Sequence, residues 1–363
     1  MTVEFVGMVA TQEKSEIRPA SGPVIDVAFL SHAAQVHEQA GFDRVLVAHH
    51  SSDPDAVLVA TQAAAVTKRI GFMIAHRPGF LQPTWAARQF ATFDVLTGGR
   101  GGIHIITGGN DAEQRQDGDY LSHDDRYRRT DEYVGLLRRV WTSDAPFDHE
   151  GTFYRYEKAF SRVKPVQKPH LPIYFGGSSD IAIAVAGRHA DVYAFWGETL
   201  EQARETIARV RASAAEAGRD PHSIRFSLSL RPVLGDTEDA AWDRARSILD
   251  KIQQLRGDSF GKGTAKPQSE GSRRLLEAAK GGPVRDKRLW TAVAAAVGAG
   301  ANTTGLVGTP EQVAESLLEY HALGVTTFLI RGFDPVPDAA EYGRRLLPLV
   351  RAEASGAPAI AAE

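Results

Sequence analysis

The 363-residue sequence predicts an α/β fold, a (β/α)8 TIM barrel with insertions, on three observations. Eight apolar, β-rich runs are spread along the chain, and nearly every one is followed by a stretch of helical periodicity. The turn after the first run, Thr11-Gln12-Glu13-Lys14-Ser15, lacks the glycine fingerprint that an open dinucleotide-binding sheet would place there. Parallel neighbours need a crossover connection, so strands alternating with helices imply a parallel sheet, and eight such units can close.

The first strand, Val3–Val9, leads through a polar loop to a helix over Val24–Ala40, with Gly41 where a left-handed C-terminal residue belongs. Arg44–His49 with Asp55–Thr67, Gly71–His76 with Thr84–Leu96, and Ile103–Thr107 with Asp125–Thr142 supply the next three units. Phe147–Tyr156 reads as an inserted hairpin about Glu150-Gly151. Pro172–Gly176 passes into a helix over Ser179–His189, with Ser179-Asp180 placed to cap it. Val192–Trp196 with Leu200–Ala217, ending at Gly218, and Ile224–Val233 with Asp236–Leu255, capped by Thr237, give units six and seven. Residues 256–301, rich in Gly, Lys and Arg and holding a helical piece at Ser272–Ala279, read as an inserted lid or a tolerated surface excursion. Thr326–Arg331 and Asp338–Ala354 complete a single domain over 1–354, and 355–363 reads as a frayed tail.

Composition narrows the chemistry. Hydrophobic residues at 43% and charged residues at 24% suit a globular protein with a large core. A net charge of −3 gives no general positive field for nucleic acid, so any phosphate must be held by local features. Without cysteine there is no disulfide, thiolate metal site or cysteine nucleophile. No signal peptide or membrane-spanning run is visible, and the expected location is the cytoplasm.

Three groups of residues could carry function. In Tyr174-Phe175-Gly176-Gly177-Ser178-Ser179-Asp180 an apolar strand ends in two glycines and two hydroxyls at a helix start. That is either a phosphate cradle or a tight turn with an ordinary serine cap. Asp117-Gly118…His123-Asp124-Asp125-Arg126-Tyr127 offers Arg126 and Tyr127 to an anion with His123 beside them, or is a polar loop opening a helix. The third group lies at strand ends: His49-His50, His76-Arg77, His104 with Thr107-Gly108, Trp196, Arg231 and Arg331. Barrel active sites are built from such positions. No metal site is expected. Adjacent histidines in one strand point to opposite faces, so His49 and His50, even with Asp53 and Asp55 nearby, do not converge. No serine-hydrolase elbow or P-loop is present.

Together these residues resemble the bacterial-luciferase superfamily, in particular its alkanesulfonate monooxygenase branch. The run Pro83-Thr84-Trp85-Ala86-Ala87-Arg88-Gln89…Asp94…Gly99-Arg100 is similar to that branch's third-helix signature. Thr107-Gly108, His123…Arg126-Tyr127, Gly176-Gly177-Ser178-Ser179, Trp196-Gly197-Glu198, Leu306-Val307-Gly308 and Glu319-Tyr320…Gly324 follow in order. The resemblance implies a two-component flavin-dependent monooxygenase, in which a separate NAD(P)H-dependent flavin reductase supplies reduced FMN (FMNH2) that reacts with O2. By that resemblance Ser178, Ser179 and Tyr127 hold the FMN phosphate, and His104 and Thr107 lie near the flavin ring. His76 and Trp196 line the pocket, and the protein is a homodimer or homotetramer. Neither nucleic acid nor membrane is an implied partner. The substrate implied is an alkanesulfonate or related organosulfur compound, cleaved to aldehyde and sulfite.

The departures fall on the sulfonate-binding positions. Ser229 and Arg231 stand where that branch has arginine and histidine, Ala299 where its lid has arginine, and Phe333 and Pro335 where it has tyrosine and histidine. Asp53 and Gln12 replace a cysteine and a histidine. Arg231 and Arg331 could bind an anionic group together, or serve as ion-pair residues. The alternatives left open are a sulfone, ketone or alkane as substrate, an F420-dependent oxidoreductase of the same superfamily, and a flavin-binding protein without catalysis.

Overall fold

In a computed structural model of the protein, which describes residues 2–257 and 267–356, the eight expected strands form a closed parallel barrel with helices between them. The barrel strands are β1 (Glu4–Val9), β2 (Arg44–Val47), β3 (Gly71–His76), β4 (Ile103–Ile105), β7 (Ile173–Gly176), β8 (Val192–Trp196), β9 (Arg225–Leu234) and β13 (Val325–Ile330). They are hydrogen-bonded in that order, β13 lies between β9 and β1, and a β9–β8 pairing completes the ring. Every residue of β3 is buried, as are nine of the ten in β9, the continuous burial expected when both faces of a parallel strand are covered.

The helices are α1 (Val27–Gln39), α2 (Ala56–Ala65), α3 (Pro83–Leu96), α4 (Asp111–Gln116), α5 (His123–Thr142), α6 (Asp180–His189), α7 (Leu200–Glu216), α8 (Glu238–Arg256), α9 (Glu270–Lys280), α10 (Ala292–Val297), α11 (Pro310–Ala322), α12 (Pro335–Arg345) and α13 (Leu347–Ser355). Short polar side chains set several starts: Asp26, Asp55, Ser122 and Thr237 each accept an amide of the first turn. Gly41 and Gly218 adopt left-handed φ of 81° and 73°, as expected after a helix end. The single helix expected over Asp338–Ala354 is instead two, broken at Leu346. Pro348 explains the break, because it cannot donate into a helix running through it.

The inserted hairpin pairs β5 (Phe147–Glu150) with β6 (Arg155–Ala159). Of the segment 256–301, residues 258–266 lie outside the described residues, as do 357–363 of the tail. The rest of the segment holds α9, a two-stranded piece of β10 (Val284–Arg285) and β11 (Leu289–Trp290), and α10. Strand β11 in turn pairs with β12 (Gly305–Gly308), which runs parallel to the far half of β9.

By contact density the chain divides into two compact units. One comprises Met1–Val45, Ala194–Ala208 and Arg225–Glu363; the other comprises Leu46–Tyr193 and Arg209–Ile224. No helix among the described residues is long and apolar enough to cross a membrane.

Candidate active site

In the second unit, β7 delivers Gly176, Gly177, Ser178 and Ser179 to the start of α6. Ser179 has the backbone of an N-cap, φ −71° and ψ 158°, yet its side chain caps nothing. Its Oγ is buried and lies beside the Tyr127 hydroxyl rather than over an amide of the helix. The ordinary-cap reading of this serine therefore fails, and a buried hydroxyl stands beside amides that a helix start leaves unpaired. Gly177 has φ +140°, and a Cβ there would come within 2.5 Å of the Tyr127 hydroxyl and 2.8 Å of the Ala182 Cβ. Its carbonyl accepts a 2.6 Å hydrogen bond from Tyr193 Oη. These contacts fix a concave turn that only glycine can form.

Tyr127 and His123 come from the first turns of α5. The Tyr127 hydroxyl is buried, which raises its pKa to about 12, with the Ser179 hydroxyl, Arg126 and Thr107 acting in the opposite sense. It remains a proton donor at any physiological pH. His123 tilts over Tyr127 at a ring separation of 5.0 Å and hydrogen-bonds Asp124 at 2.8 Å. Thr107 is buried, and its hydroxyl meets Thr130 Oγ1 at 3.2 Å. Arg126 is not open to an anion from outside. It donates to Leu121 O and to Asp111 Oδ1, each at 2.7 Å, and so ties α5 to α4.

Two histidines stand on neighbouring strands of the same unit, with Ala75 opposite His104 in the register. His76 is buried, 2.7 Å from the Tyr133 hydroxyl and edge-on to Phe90. Burial, with the nearby His49, lowers its pKa to about 3. Burial likewise lowers His104 to about 4, against the pull of the Tyr174 backbone. Both rings are therefore neutral at pH 7, available as hydrogen-bonding groups and not as cations.

In the first unit, Trp196 ends β8 and packs against Gly271 of α9 and against the Leu275, Ala294 and Ala299 cluster. Arg231 lies on β9, fully buried, with its guanidinium 3.5 Å from the Phe333 ring centroid. Arg331 follows β13. Both arginines contact one carboxylate: Glu16 lies 2.7 Å from Arg231 Nη1 through Oε2 and 2.7 Å from Arg331 Nη2 through Oε1. The anion these residues hold together is thus one of the chain's own.

Sequence reasoning overlooked Glu16, Tyr133 and Thr130, which reach the singled-out residues only through the fold. It also overlooked a second buried pair, Glu198 with Arg274 of α9, joined by two 2.9 Å bonds. No motif marks such partners.

The profile of the luciferase-like monooxygenase family matches residues 3–327. Among solved structures, the riboflavin lyase RcaE, crystallised with modified FMN and riboflavin, superposes with a TM-score of 0.80 at 21% identity, covering 100% of this chain and 94% of that one. EDTA monooxygenase (EmoA) from Chelativorans sp. BNC1 gives 0.77 at 18% identity, covering 97% and 94%. DmoA from Hyphomicrobium sulfonivorans gives 0.76 at 20% identity, covering 98% and 89%. With the barrel closed and nine-tenths of the chain inside that profile, the chain belongs to the luciferase-like monooxygenase family and is a flavin-dependent monooxygenase.

Proposed function

We propose that this enzyme takes reduced FMN from a separate NAD(P)H-dependent flavin reductase and uses O2 to oxidise a small organic substrate. The organosulfur class follows from the likeness to the alkanesulfonate branch. We further propose that it works in the cytoplasm as a homodimer or homotetramer, without nucleic acid or membrane as partner.

The observation that carries the cofactor assignment is the buried Ser179 hydroxyl, which caps no amide and stands with the Tyr127 hydroxyl at the start of a ten-residue helix. A phosphate ester bound there accepts from those hydroxyls and from the free amides of the helix start, and it also meets the helix dipole. Gly177, lacking a side chain, lets the Tyr127 hydroxyl reach the turn, and Ser178 is a further donor to hand. The residues present fit the phosphate end of FMN.

The bound flavin supplies the two electrons that activate O2. What this chain supplies is placement and a dry, neutral setting. His76, held by Tyr133, and His104, drawn to the Tyr174 backbone, present uncharged imidazoles that orient a polar group without adding a positive charge. Thr107, fixed against Thr130, offers a hydroxyl of defined position. Trp196 contributes an apolar wall in its own unit. Arg231 and Arg331 act through Glu16.

Titration of the apoprotein with FMNH2 and with reduced F420 tests the cofactor. Ser179→Ala and Tyr127→Phe are expected to weaken FMNH2 binding by roughly ten-fold each, about 1.4 kcal/mol, without changing the fold. Equal affinity of wild type and both variants for FMNH2, or a preference for F420, would refute the assignment. A screen of sulfonates, sulfones and ketones with FMN, a reductase and NADH, reading product and sulfite, tests the substrate. Peroxide release with every compound, and product with none, would mark a flavin-binding protein without a reaction of its own.

A further inference from the structure

Resting on the monooxygenase reading above, we propose that Glu16 is a specificity-determining residue: it fills, with the chain's own carboxylate, the anion seat formed by Arg231 and Arg331, so the substrate this enzyme accepts there is uncharged. Within the organosulfur class that means a neutral compound, such as a sulfone, rather than a sulfonate.

The seat already holds a carboxylate. Each Glu16 oxygen faces one guanidinium at 2.7 Å. Arg231 Nη2 donates to Gly332 O at 3.0 Å, and the Phe333 ring covers the face of the same guanidinium. Arg231 has no exposed surface at all. The two arginines hold the Glu16 carboxyl below its usual range although burial pushes it up, so the group is an anion at neutral pH.

Glu16 is also held in place by its neighbours in the chain, which separates this arrangement from a chance ion pair. Ser15 and Arg18 exchange backbone hydrogen bonds of 2.9 and 3.2 Å, making a tight turn with Glu16 at its tip. Ile17 packs onto the apolar cluster that contains Val233 and Phe333, and Arg18 is tied to Asp334. A carboxylate presented this way competes at the high effective concentration of a tethered group. An anion arriving from solution must displace it and leave a charged Glu16 without its partners, and breaking a buried pair in this way is strongly unfavourable. A neutral substrate meets neither obstacle. Arg231 lies just past the last β9 residue paired with β13, and Phe333 follows the end of β13, on the side of a barrel where substrates bind.

The test uses the full-length apoprotein and needs no flavin. Thermal unfolding is followed against sodium methanesulfonate, with sodium chloride at equal ionic strength as reference, for wild type, Glu16→Gln, Glu16→Ala and the double variant Glu16→Gln/Arg331→Met. Wild type is expected to show no saturable rise in Tm over chloride. Glu16→Gln is expected to show one, with an affinity roughly ten-fold or more above wild type, and the double variant to lose it. If Glu16→Ala folds only when methanesulfonate is present, that supports the seat; if it folds under neither condition, Glu16→Gln decides. Saturable stabilisation of wild type equal to that of Glu16→Gln, or a folded Glu16→Gln indifferent to the anion, overturns the proposal. With FMN and reductase added, sulfite release from methanesulfonate by wild type would also overturn it. The cofactor assignment would then stand, because it is judged on flavin titration of the Ser179 and Tyr127 variants.

Discussion

At Gly177 the backbone holds a conformation closed to other residues while the Tyr127 hydroxyl occupies the space a side chain would take. Gly177→Ala is expected to lower stability by about 1–3 kcal/mol and to weaken FMNH2 binding at least as much as Ser179→Ala does. Thermal melting and flavin titration read the two effects separately, and an unchanged affinity would show that the turn does not touch the cofactor. Tyr133, further along the same helix as Tyr127, makes a similar case. Removing its hydroxyl leaves His76 Nε2 buried and unpaired, so Tyr133→Phe is expected to cost about 1–3 kcal/mol in urea unfolding. At this scale the sequence was readable where a motif was contiguous. Gly176 to Ser179 could be found because strand end, glycines and hydroxyls adjoin. Glu16, Tyr133 and Thr130 could not, because their partners lie on other elements and nothing in their immediate surroundings distinguishes them from surface residues.

Among elements, α9 is pinned by one buried charge pair. Glu198 is 1% exposed, and burial raises its carboxyl pKa against the opposing pull of Arg274. Arg274→Ala strands that carboxylate, so a loss of about 3–5 kcal/mol is expected, with faster amide exchange across Glu270–Lys280. Unaltered exchange there would mean that apolar packing alone seats the helix. Helix α11 begins in a full capping box of Thr309 and Gln312 with Pro310 in its first turn, and Thr309→Ala is expected to cost about 1 kcal/mol in a melting experiment. That start signal was present in the sequence, together with apolar Val313, Ala314, Leu317 and Tyr320 on one face, so this helix was legible although it was passed over. By contrast α4 offers no apolar stripe. Asn110 caps it, and Arg126 grips Asp111, which sequence periodicity cannot reveal. The eight barrel strands were legible because each is a run of buried apolar residues, and their ends moved by at most a few positions.

For the molecule as a whole, buried imidazoles govern the response to acid. His37 and His76 are buried and His104 is partly so, and burial lowers their pKa values to about 4, 3 and 4 from a usual 6.5. In the unfolded chain these rings take up protons as pH falls through 6.5, whereas in the folded chain they do not until pH 4 or below. Stability is therefore complete above pH 6.5 and declines below it, by about 1.4 kcal/mol per pH unit for each ring down to its folded pKa. The carboxyls of Glu198 and Asp338, raised by burial, oppose this near the acid end of the window. Urea midpoints at pH 7.5, 6.0 and 5.0 are expected to fall in that order, and a midpoint flat across the series would contradict the burial of these rings.

Strand β9 has a property that belongs to trees more than to rings: it forks. Its near half keeps β13 as neighbour as far as Leu230, and from Arg231 onward its neighbour is β12. A limb can be grafted at such a crotch without opening the trunk, so the stretch from Gly235 to Thr304 could lengthen or shorten over evolution while the ring stayed whole. Gly305 sits at the graft, where any side chain would strike the Arg231 carbonyl at 2.5 Å. Gly305→Ala should therefore loosen the limb and the buried guanidinium beside it together.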